Sequence, residues 1–325
     1  MPRPQKGIDQ AEFIRVYKDL QSSKAVAEHF GCSVANVCQR RRYLESQGVV
    51  LPQFDTRPAY ARAEIDNSRA VYKMSLGDGQ VLIGSDFHVW PGERTTMQRA
   101  FIHFAKSRKL LPNLVGCILN GDVFDGASIS RHPSIGWEKK PTVRQEMEAV
   151  QDFLGDLLKG LPAGCLKVWV PGNHCLRFES RIAANVPEFA GVQGVHLKDH
   201  FPEWETGWRV DINDDVVVKH RGQGGEHADF NNAVKGGKTI VTGHDHRANV
   251  TAYHDYRGTR WGVRCGYMGE SPLDEQFVHY LEASAPNWCP AFVVLTFRQG
   301  KLLWPELVTK HADGEVNWRG QVISV

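Results

Sequence analysis

Apolar residues recur at helical spacing within the first fifty positions, and they predict three short helices there. The first helix is expected from about 9 to 20 and the second from about 23 to 30, ending at Gly31. Ser33 is a suitable N-cap for the third helix. The inward positions of the first and third helices are Phe13, Ile14, Tyr17, Leu20, Val34, Val37 and Leu44.

Two helices joined by a tight, glycine-containing turn follow the helix-turn-helix plan, and this segment resembles DNA-binding helix-turn-helix units over about 25 residues. Residues 1–50 carry eight basic and five acidic side chains. The third helix is predicted to expose a polar and basic set suited to phosphates and base edges: Asn36, Gln39, Arg40, Arg41 and Arg42. The alternative is a helical packing or oligomerisation module with a solvated basic face.

A different pattern begins near residue 68, where short apolar runs alternate with amphipathic helical segments. A hairpin is expected first, from Ala70–Leu76 through a Gly-Asp-Gly turn to Val81–Ser85. Further strands are expected at Val115–Asn120, Leu166–Val170, Val216–Lys219 and Thr239–Thr242, with helices at 95–110, 145–160 and 178–186 and a last hairpin within 291–308. Continuous apolar strands indicate a sheet that is buried on both faces.

The predicted organisation is therefore a helical unit at 1–50, a proline-containing linker at 51–67 and an α/β domain at 68–325. A segment rich in aromatic residues, about 178–210, is expected to form a cap over the functional site.

Composition narrows the functional classes. The chain has 325 residues, 42% of them apolar, and a net charge of +2, so no overall field favours nucleic acid or membranes. Seven scattered cysteines without a CxxC pair fit neither a disulfide scaffold nor a zinc finger. We expect a cytoplasmic protein because the sequence shows no signal peptide and no apolar run of the roughly 20 residues that a membrane helix needs.

Five of the apolar strands are each followed directly by side chains that can bind metals. Because ligands collect beyond the carboxyl ends of strands in α/β sheets, we expect these side chains to converge. In chain order they are Asp86, His88, Asp122, Asp125, Asn173, His174, His220, His244 and His246. Residues two apart on an extended segment point the same way, so Asp86 with His88, and His244 with His246, are each predicted to face one ion.

The ligand set combines carboxylates, imidazoles and one amide oxygen, without a thiolate. That set suits Mn²⁺, Fe, Zn²⁺ or Ni²⁺ and is too rich in nitrogen for calcium or magnesium. One ion cannot use so many ligands, so two divalent ions are predicted. Asp122, central in the order, is the natural carboxylate to bridge them.

The blocks Asp86-x-His88, Gly121-Asp122-x-x-Asp125, Gly172-Asn173-His174, His220 and Gly243-His244-x-His246 resemble the calcineurin-like metallophosphoesterase superfamily over about residues 80–250. More narrowly, the stretches 121–133 and 177–201 resemble phage and prophage proteins of the DNA-repair-exonuclease-like type. The resemblance implies a four-layer αββα sandwich. It also implies a cytoplasmic location, which is the host cytoplasm if the gene is carried by a phage.

The resemblance also implies roles for individual residues. Both ions are expected to be divalent, and Mn²⁺ is favoured. Asp86, His88, Asp122 and His246 would hold one ion. Asp122, Asn173, His220 and His244 would hold the other. His174 would be the general acid or electrostatic partner, oriented by Asp125.

Two residues depart from the family pattern. Gly126 stands where many members have an arginine, which leaves Arg131, Arg177 or Arg221 to contact the phosphate. Cys175 stands where many members have a carboxylate that supports the neighbouring histidine. Neither departure touches an implied metal ligand, so they bear on rate and substrate preference.

The predicted activity is hydrolysis of phosphodiester bonds by metal-activated hydroxide, directed to DNA by the N-terminal helices. A phosphatase or a phosphodiesterase for small molecules or cyclic nucleotides, with a structural N-terminal module, is the first alternative. A DNA-binding regulatory protein with a silent phosphoesterase domain is the second, and the complete ligand set disfavours it.

Overall fold

A computed structural model of the chain describes residues 8–52, 71–132, 134, 137–270 and 286–325. The chain divides into two compact units, Met1–Glu64 and Ile65–Val325, and each is described by itself. Most of the predicted linker, 53–67, lies outside the described residues.

The first unit contains the three predicted helices, α1 (Gln10–Leu20), α2 (Ser23–His29) and α3 (Val34–Ser46). Each starts at a side-chain cap, because Asp9, Ser22 and Ser33 accept a backbone N–H from the first turn. A small core of buried side chains holds the helices together: Phe13, Val16, Tyr17, Val26, Ala27, Val37, Leu44 and Leu51.

The described residues of the second unit form two sheets. Their strands are β1 (Val71–Met74), β2 (Gly79–Gly84), β3 (Leu114–Asn120), β4 (Leu166–Val170), β5 (Glu205–Thr206), β6 (Arg209–Ile212), β7 (Val216–Val218), β8 (Thr239–Thr242), β9 (Ala248–Asp255), β10 (Gly258–Cys265), β11 (Ala291–Arg298), β12 (Lys301–Leu302), β13 (Glu306–Ala312), β14 (Glu315–Trp318) and β15 (Gln321–Ser324). The six-stranded sheet has the order β1-β6-β7-β8-β10-β9, and the nine-stranded sheet has the order β15-β14-β13-β11-β2-β3-β4-β5, with β12 paired to β11. The helices are α4 (Thr96–Lys106), α5 (Val143–Gly160), α6 (Leu176–Asn185) and α7 (Ala228–Gly236).

The alternation of side chains along β2 shows how the layers form. Val81 and Ile83 point into the core between the two sheets, whereas Leu82 points into a second core beneath α4 and α5. All three are fully buried, which explains the continuous apolar run in the sequence. Because α7 packs on β8, β9 and β10 of the other sheet, the unit is a four-layer αββα sandwich, and the predicted fold class is confirmed.

Strand pairing corrects one prediction. The expected first hairpin is wrong, because β1 pairs in parallel with β6 in one sheet while β2 pairs with β3 and β11 in the other. The Gly-Asp-Gly turn therefore carries the chain from sheet to sheet. The C-terminal hairpin is confirmed, since β11 pairs antiparallel with β12 and β13.

The predicted cap, about 178–210, packs partly on the core through Phe201 and Trp204, and Phe201 contacts Trp169 at a ring-centroid distance of 5.1 Å. No helix among the described residues combines the length and the apolar character that a membrane span requires.

Candidate metal centre

The candidate site lies at the carboxyl ends of five strands that belong to both sheets. β2, β3 and β4 are parallel neighbours in the nine-stranded sheet, and β7 and β8 are parallel neighbours in the other. Each of the five is followed directly by residues of the predicted set. Hydrogen bonds tie the sheets together there; among them, His220 Nδ1 donates to the carbonyl of Asn120 at 2.7 Å, and the N–H of His244 donates to Asp86 at 2.8 Å.

Three clusters of side chains converge at this edge. In each cluster, one potential ligand atom from every member lies within 4.8 Å of the others. The clusters are Asp86 with His88 and His246, Asp122 with His220 and His244, and Asp125 with His88 and His174. Each of the first two contains three of the four residues of one half of the implied ligand set. Asn173 lines the same cavity as His88 and His246.

The backbone that presents these side chains differs from the expected extended form. Asp86, His88, Asp122, His244 and His246 all have positive φ, between 41° and 75°. The expected extended geometry is therefore wrong at these residues. Asp86 and His88 still share a cluster, whereas His244 and His246 turn into different clusters. Left-handed backbone at residues other than glycine is strained and concentrates at functional sites.

Close packing explains two glycines of the sequence motifs. A Cβ atom on Gly172 would lie 2.1 Å from Asp122 Oδ1, and one on Gly243 would lie 1.8 Å from Ser85 Oγ and 2.7 Å from Asp86 Oδ2. A larger residue at either position would push a clustered carboxylate out of place.

The buried carboxylates of this site remain charged because imidazoles surround them. Burial alone would raise the pKa of Asp86, but His220 and His246 hold it far below its usual range. Burial also opposes ionisation of Asp122, yet His220 lowers its pKa to about 2. In return, Asp86 and Asp122 raise the pKa of His220 to about 9 against the effect of its own burial. His220 Nε2 lies 3.0 Å from Asp122 Oδ2 and 4.0 Å from Asp86 Oδ1.

Asp125 organises the third cluster. Its Oδ1 lies 3.0 Å from His88 Nδ1 and 2.5 Å from His174 Nδ1, and its Oδ2 accepts the indole N–H of Trp90 at 3.2 Å. Both imidazoles are thereby held by Nδ1, which directs Nε2 away from Asp125. Burial opposes ionisation of Asp125, but hydrogen bonds from His174 and His88 hold its pKa well below the usual range.

The donor groups at this site suit divalent cations. Asn173 Oδ1 is buried and has no hydrogen-bond partner among the described residues, whereas buried oxygens are normally paired. Asn173 lines the same cavity as His88 and His246, which cluster with the buried carboxylate of Asp86. An amide oxygen, carboxylates and imidazoles suit borderline divalent ions.

A cavity of about 460 Å³ opens over the clusters. The three arginines considered for phosphate contact, Arg131, Arg177 and Arg221, all line it. Arg177 donates to His174 Nε2 at 3.2 Å and to the carbonyl of Asp125 at 3.0 Å. No residue of the predicted cap, 178–210, is among those that line this cavity.

The two departures from the family pattern have structural counterparts. Gly126 adopts a left-handed conformation, with φ 64°, at the start of a short 3-10 turn. Cys175 is buried, which raises the pKa of its thiol to about 12, so it is not a thiolate near neutral pH. Asp245, between two of the clustered histidines, points to Arg264 at 3.3 Å instead.

Three residues of this region were missed from the sequence. Trp90 holds Asp125, Glu146 accepts the backbone N–H groups of Gly126 and Ala127, and Trp288 packs on His246 at 4.2 Å between ring centroids. Only Trp90 lies near a recognisable motif, two positions after His88. The other two come from distant parts of the chain without a local pattern.

The residues predicted to contact DNA fall into two groups on α3. Gln39 and Arg42 are exposed, and Asn36 is half-buried. Arg40 instead donates to the carbonyl of Ile8 and lies over the ring of Phe13, and Arg41 pairs with Glu45 at 3.6 Å. The expectation that α3 exposes all five side chains is therefore wrong for Arg40 and Arg41, which pack within their own unit.

Several solved structures are similar to this chain. Neither a protein-family model nor a curated protein matches the sequence. Vps29 from Entamoeba histolytica, solved with Zn²⁺, is 15% identical, covers 75% of this chain and 98% of its own, and has a TM-score of 0.39. A serine/threonine phosphatase from Saccharomyces cerevisiae similar to human PP5 is 13% identical and covers 75% and 86%, with a TM-score of 0.36. The nuclease MPE from Pseudomonas putida is 13% identical and covers 69% and 86%, with a TM-score of 0.27.

Proposed function

We propose that this protein is a phosphoesterase of the calcineurin-like type that uses two divalent metal ions to hydrolyse phosphodiester bonds. One observation carries the proposal: six candidate ligands cluster at one edge of the sandwich, Asn173 lines the cavity beside them, and five of the six adopt strained, left-handed backbone. A fold keeps such strain only where the surrounding structure enforces it.

The two ion sites follow from the clusters. Asp86, His88 and His246 would hold one ion, Asn173, His220 and His244 the other, and Asp122 would serve both. Bound ions of this kind polarise phosphoryl oxygens and lower the pKa of a bound water. We favour Mn²⁺, with Fe, Zn²⁺ and Ni²⁺ as alternatives, from the mixed oxygen and nitrogen donors.

The remaining residues bind and orient the substrate. Arg131, Arg177 and Arg221 place positive charge on the cavity wall, where they would attract a phosphodiester. Asp125 fixes His174 through Nδ1, and His174 Nε2 accepts from Arg177. When Arg177 turns to the substrate's phosphate, Nε2 of His174 becomes available to the leaving oxygen, to which a protonated imidazole would donate.

The test is hydrolysis of bis-p-nitrophenyl phosphate with added MnCl₂. We expect Mn²⁺ to stimulate the wild type and Asp122→Asn to lose at least about a hundredfold in rate. Mutation of a residue that only supports a metal ligand already costs about 10–100-fold in metal affinity or activity. Asp214→Asn is the matched control, because Asp214 is an exposed aspartate with the same left-handed backbone, φ 58°. Equal rates in all three proteins would contradict the proposal.

We propose DNA as the substrate because of the exposed basic edge of α3. Arg42 and Gln39 supply a cation and a base-reading amide on one helix face. In the full-length protein, Arg42→Glu should weaken retention of duplex DNA by about tenfold, and Arg298→Glu, an exposed control in the other unit, should not. Equal retention would leave the helical unit as a packing module and favour a small phosphodiester substrate.

A further inference from the structure

A second cavity, of about 250 Å³, lies beside the metal-site cavity, and Trp90 is the one residue that lines both. The Trp90 indole is fixed by its hydrogen bond to Asp125, so the ring forms a wall between the two spaces. The second cavity is smaller than the roughly 300–1,000 Å³ of whole ligand sites. It therefore suits one part of a ligand whose remainder occupies the larger cavity.

The two cavities differ in charge. The larger one carries Arg131, Arg177 and Arg221, which favour phosphate, and its Lys140 is paired with Glu138 at 3.6 Å. The smaller one carries Glu148 and Asp152, and its one cation, Arg94, is already bound to Asp152 at 2.5 Å and to Asp156 at 2.8 Å. Glu148 is likewise paired with Arg144 at 2.8 Å. No unpaired cation among the lining residues is left to bind a second phosphate, so the cavity favours an uncharged group.

We propose that the smaller cavity binds the nucleobase of an unpaired nucleotide whose phosphodiester lies in the metal-site cavity. This inference rests on the proposed function and specifies its substrate. Aromatic side chains at such sites stack bases, and Trp90 stands at the junction where base and phosphate diverge. A base inside a duplex cannot enter, so single strands and frayed ends are the expected substrates.

The polar groups of the smaller cavity also predict which base is preferred. Gln145, Glu148 and Asp152 lie along one exposed face of α5. Carboxylates accept hydrogen bonds from exocyclic amino groups such as those of cytosine and adenine. Thymine flanks its one ring N–H with two carbonyl oxygens, which carboxylates repel. Adenine and cytosine should therefore be favoured over thymine.

The first experiment compares hydrolysis of the p-nitrophenyl esters of deoxyadenosine and thymidine 5′-monophosphate with that of bis-p-nitrophenyl phosphate. In each ester, water bonds to phosphorus, the P–O bond to the aryl group breaks, and p-nitrophenolate leaves with the proton released to buffer. Ala149→Leu fills the smaller cavity from α5. It should lower the kcat/KM ratio of the adenine ester to bis-p-nitrophenyl phosphate by about tenfold, in keeping with loss of one stacked base.

Two further variants sharpen the result. Gln151→Leu introduces the same residue at an exposed position of α5 outside the cavity and should leave the ratio unchanged. Glu148→Ala should reduce the preference for adenine over thymine. An unchanged ratio in Ala149→Leu, or equal preference for the two bases in the wild type, overturns the inference while the hydrolysis itself upholds the proposed function.

A binding measurement separates the two claims completely. Saturation-transfer NMR with deoxyadenosine in EDTA needs no catalysis. Transfer to the adenine protons in the wild type and Gln151→Leu, but not in Ala149→Leu, supports the site even if no ester is hydrolysed, in which case the proposed function alone fails. No transfer in the wild type, or transfer that persists in Ala149→Leu, overturns the site.

Discussion

Glu146 provides the sharpest quantitative prediction. It is fully buried on α5, and its carboxylate accepts the N–H groups of Gly126 at 2.6 Å and Ala127 at 2.9 Å, directly after Asp125. Burial, followed by the negative charge of Asp125, raises its pKa from 4.5 to about 7, although the two N–H groups and Arg177 act in the opposite direction.

The shift fixes the sign of the pH dependence. Between pH 4.5 and 7 the folded protein keeps a proton on Glu146 that the unfolded chain has released. The contribution to stability is thus complete below pH 4.5, falls as the pH rises and is lost above about 7. At 1.36 kcal/mol for each pKa unit, the loss is roughly 3 kcal/mol.

The assay is urea unfolding in EDTA at pH 5, 6, 7 and 8 for the wild type, Glu146→Gln and Glu148→Gln. Glutamine cannot ionise, so Glu146→Gln should gain about 2.5 kcal/mol relative to the wild type from pH 5 to pH 8, slightly less than the full loss because pH 5 already lies above 4.5. Glu148, exposed on the same helix, is the matched control and should follow the wild type. Parallel pH profiles for the wild type and Glu146→Gln would refute the reasoning.

Two further predictions concern the metal site and its neighbouring thiol. Mn²⁺ at 100 times its Kd should stabilise the wild type by about 2.7 kcal/mol and raise Tm by about 5–10 °C; a shift in Asp122→Asn as large as that in Asp214→Asn would contradict the assigned ligands. Cys175 should resist iodoacetamide in the native protein at pH 8 and react once urea unfolds the chain, because burial raises the pKa of its thiol to about 12. Mass spectrometry of the Cys175 peptide checks this, and rapid native alkylation would show that the thiol is accessible.

Strand positions and the order of the motifs were predictable because they are local. The apolar runs Val216–Val218 and Thr239–Thr242 are strands as expected, and the residues after them meet at one edge. Pairing was not predictable in the same way. β1 and β2 look like a hairpin because they are close in sequence, yet each gains more by pairing with a distant strand of a different sheet.

The residues that support the candidate site were hidden for a related reason. Glu146 and Trp288 act through contacts with residues 19 or more positions away, and a single sequence carries no periodic pattern for such contacts. The left-handed turns at Asp86 and His244 were hidden too, since neither residue type demands positive φ. The sequence predicted extended backbone at these positions. That prediction placed the correct pair in one cluster only for Asp86 with His88.

The left-handed turns set a trade-off for evolution at this edge of the sandwich. Glycine or asparagine at Asp86, His88, Asp122, His244 or His246 would relax the backbone and stabilise the empty fold. Glycine would also delete a candidate ligand, and asparagine would replace a carboxylate or an imidazole with an uncharged amide. Selection for thermal stability alone would therefore replace these five side chains. Selection for binding at this edge would keep them.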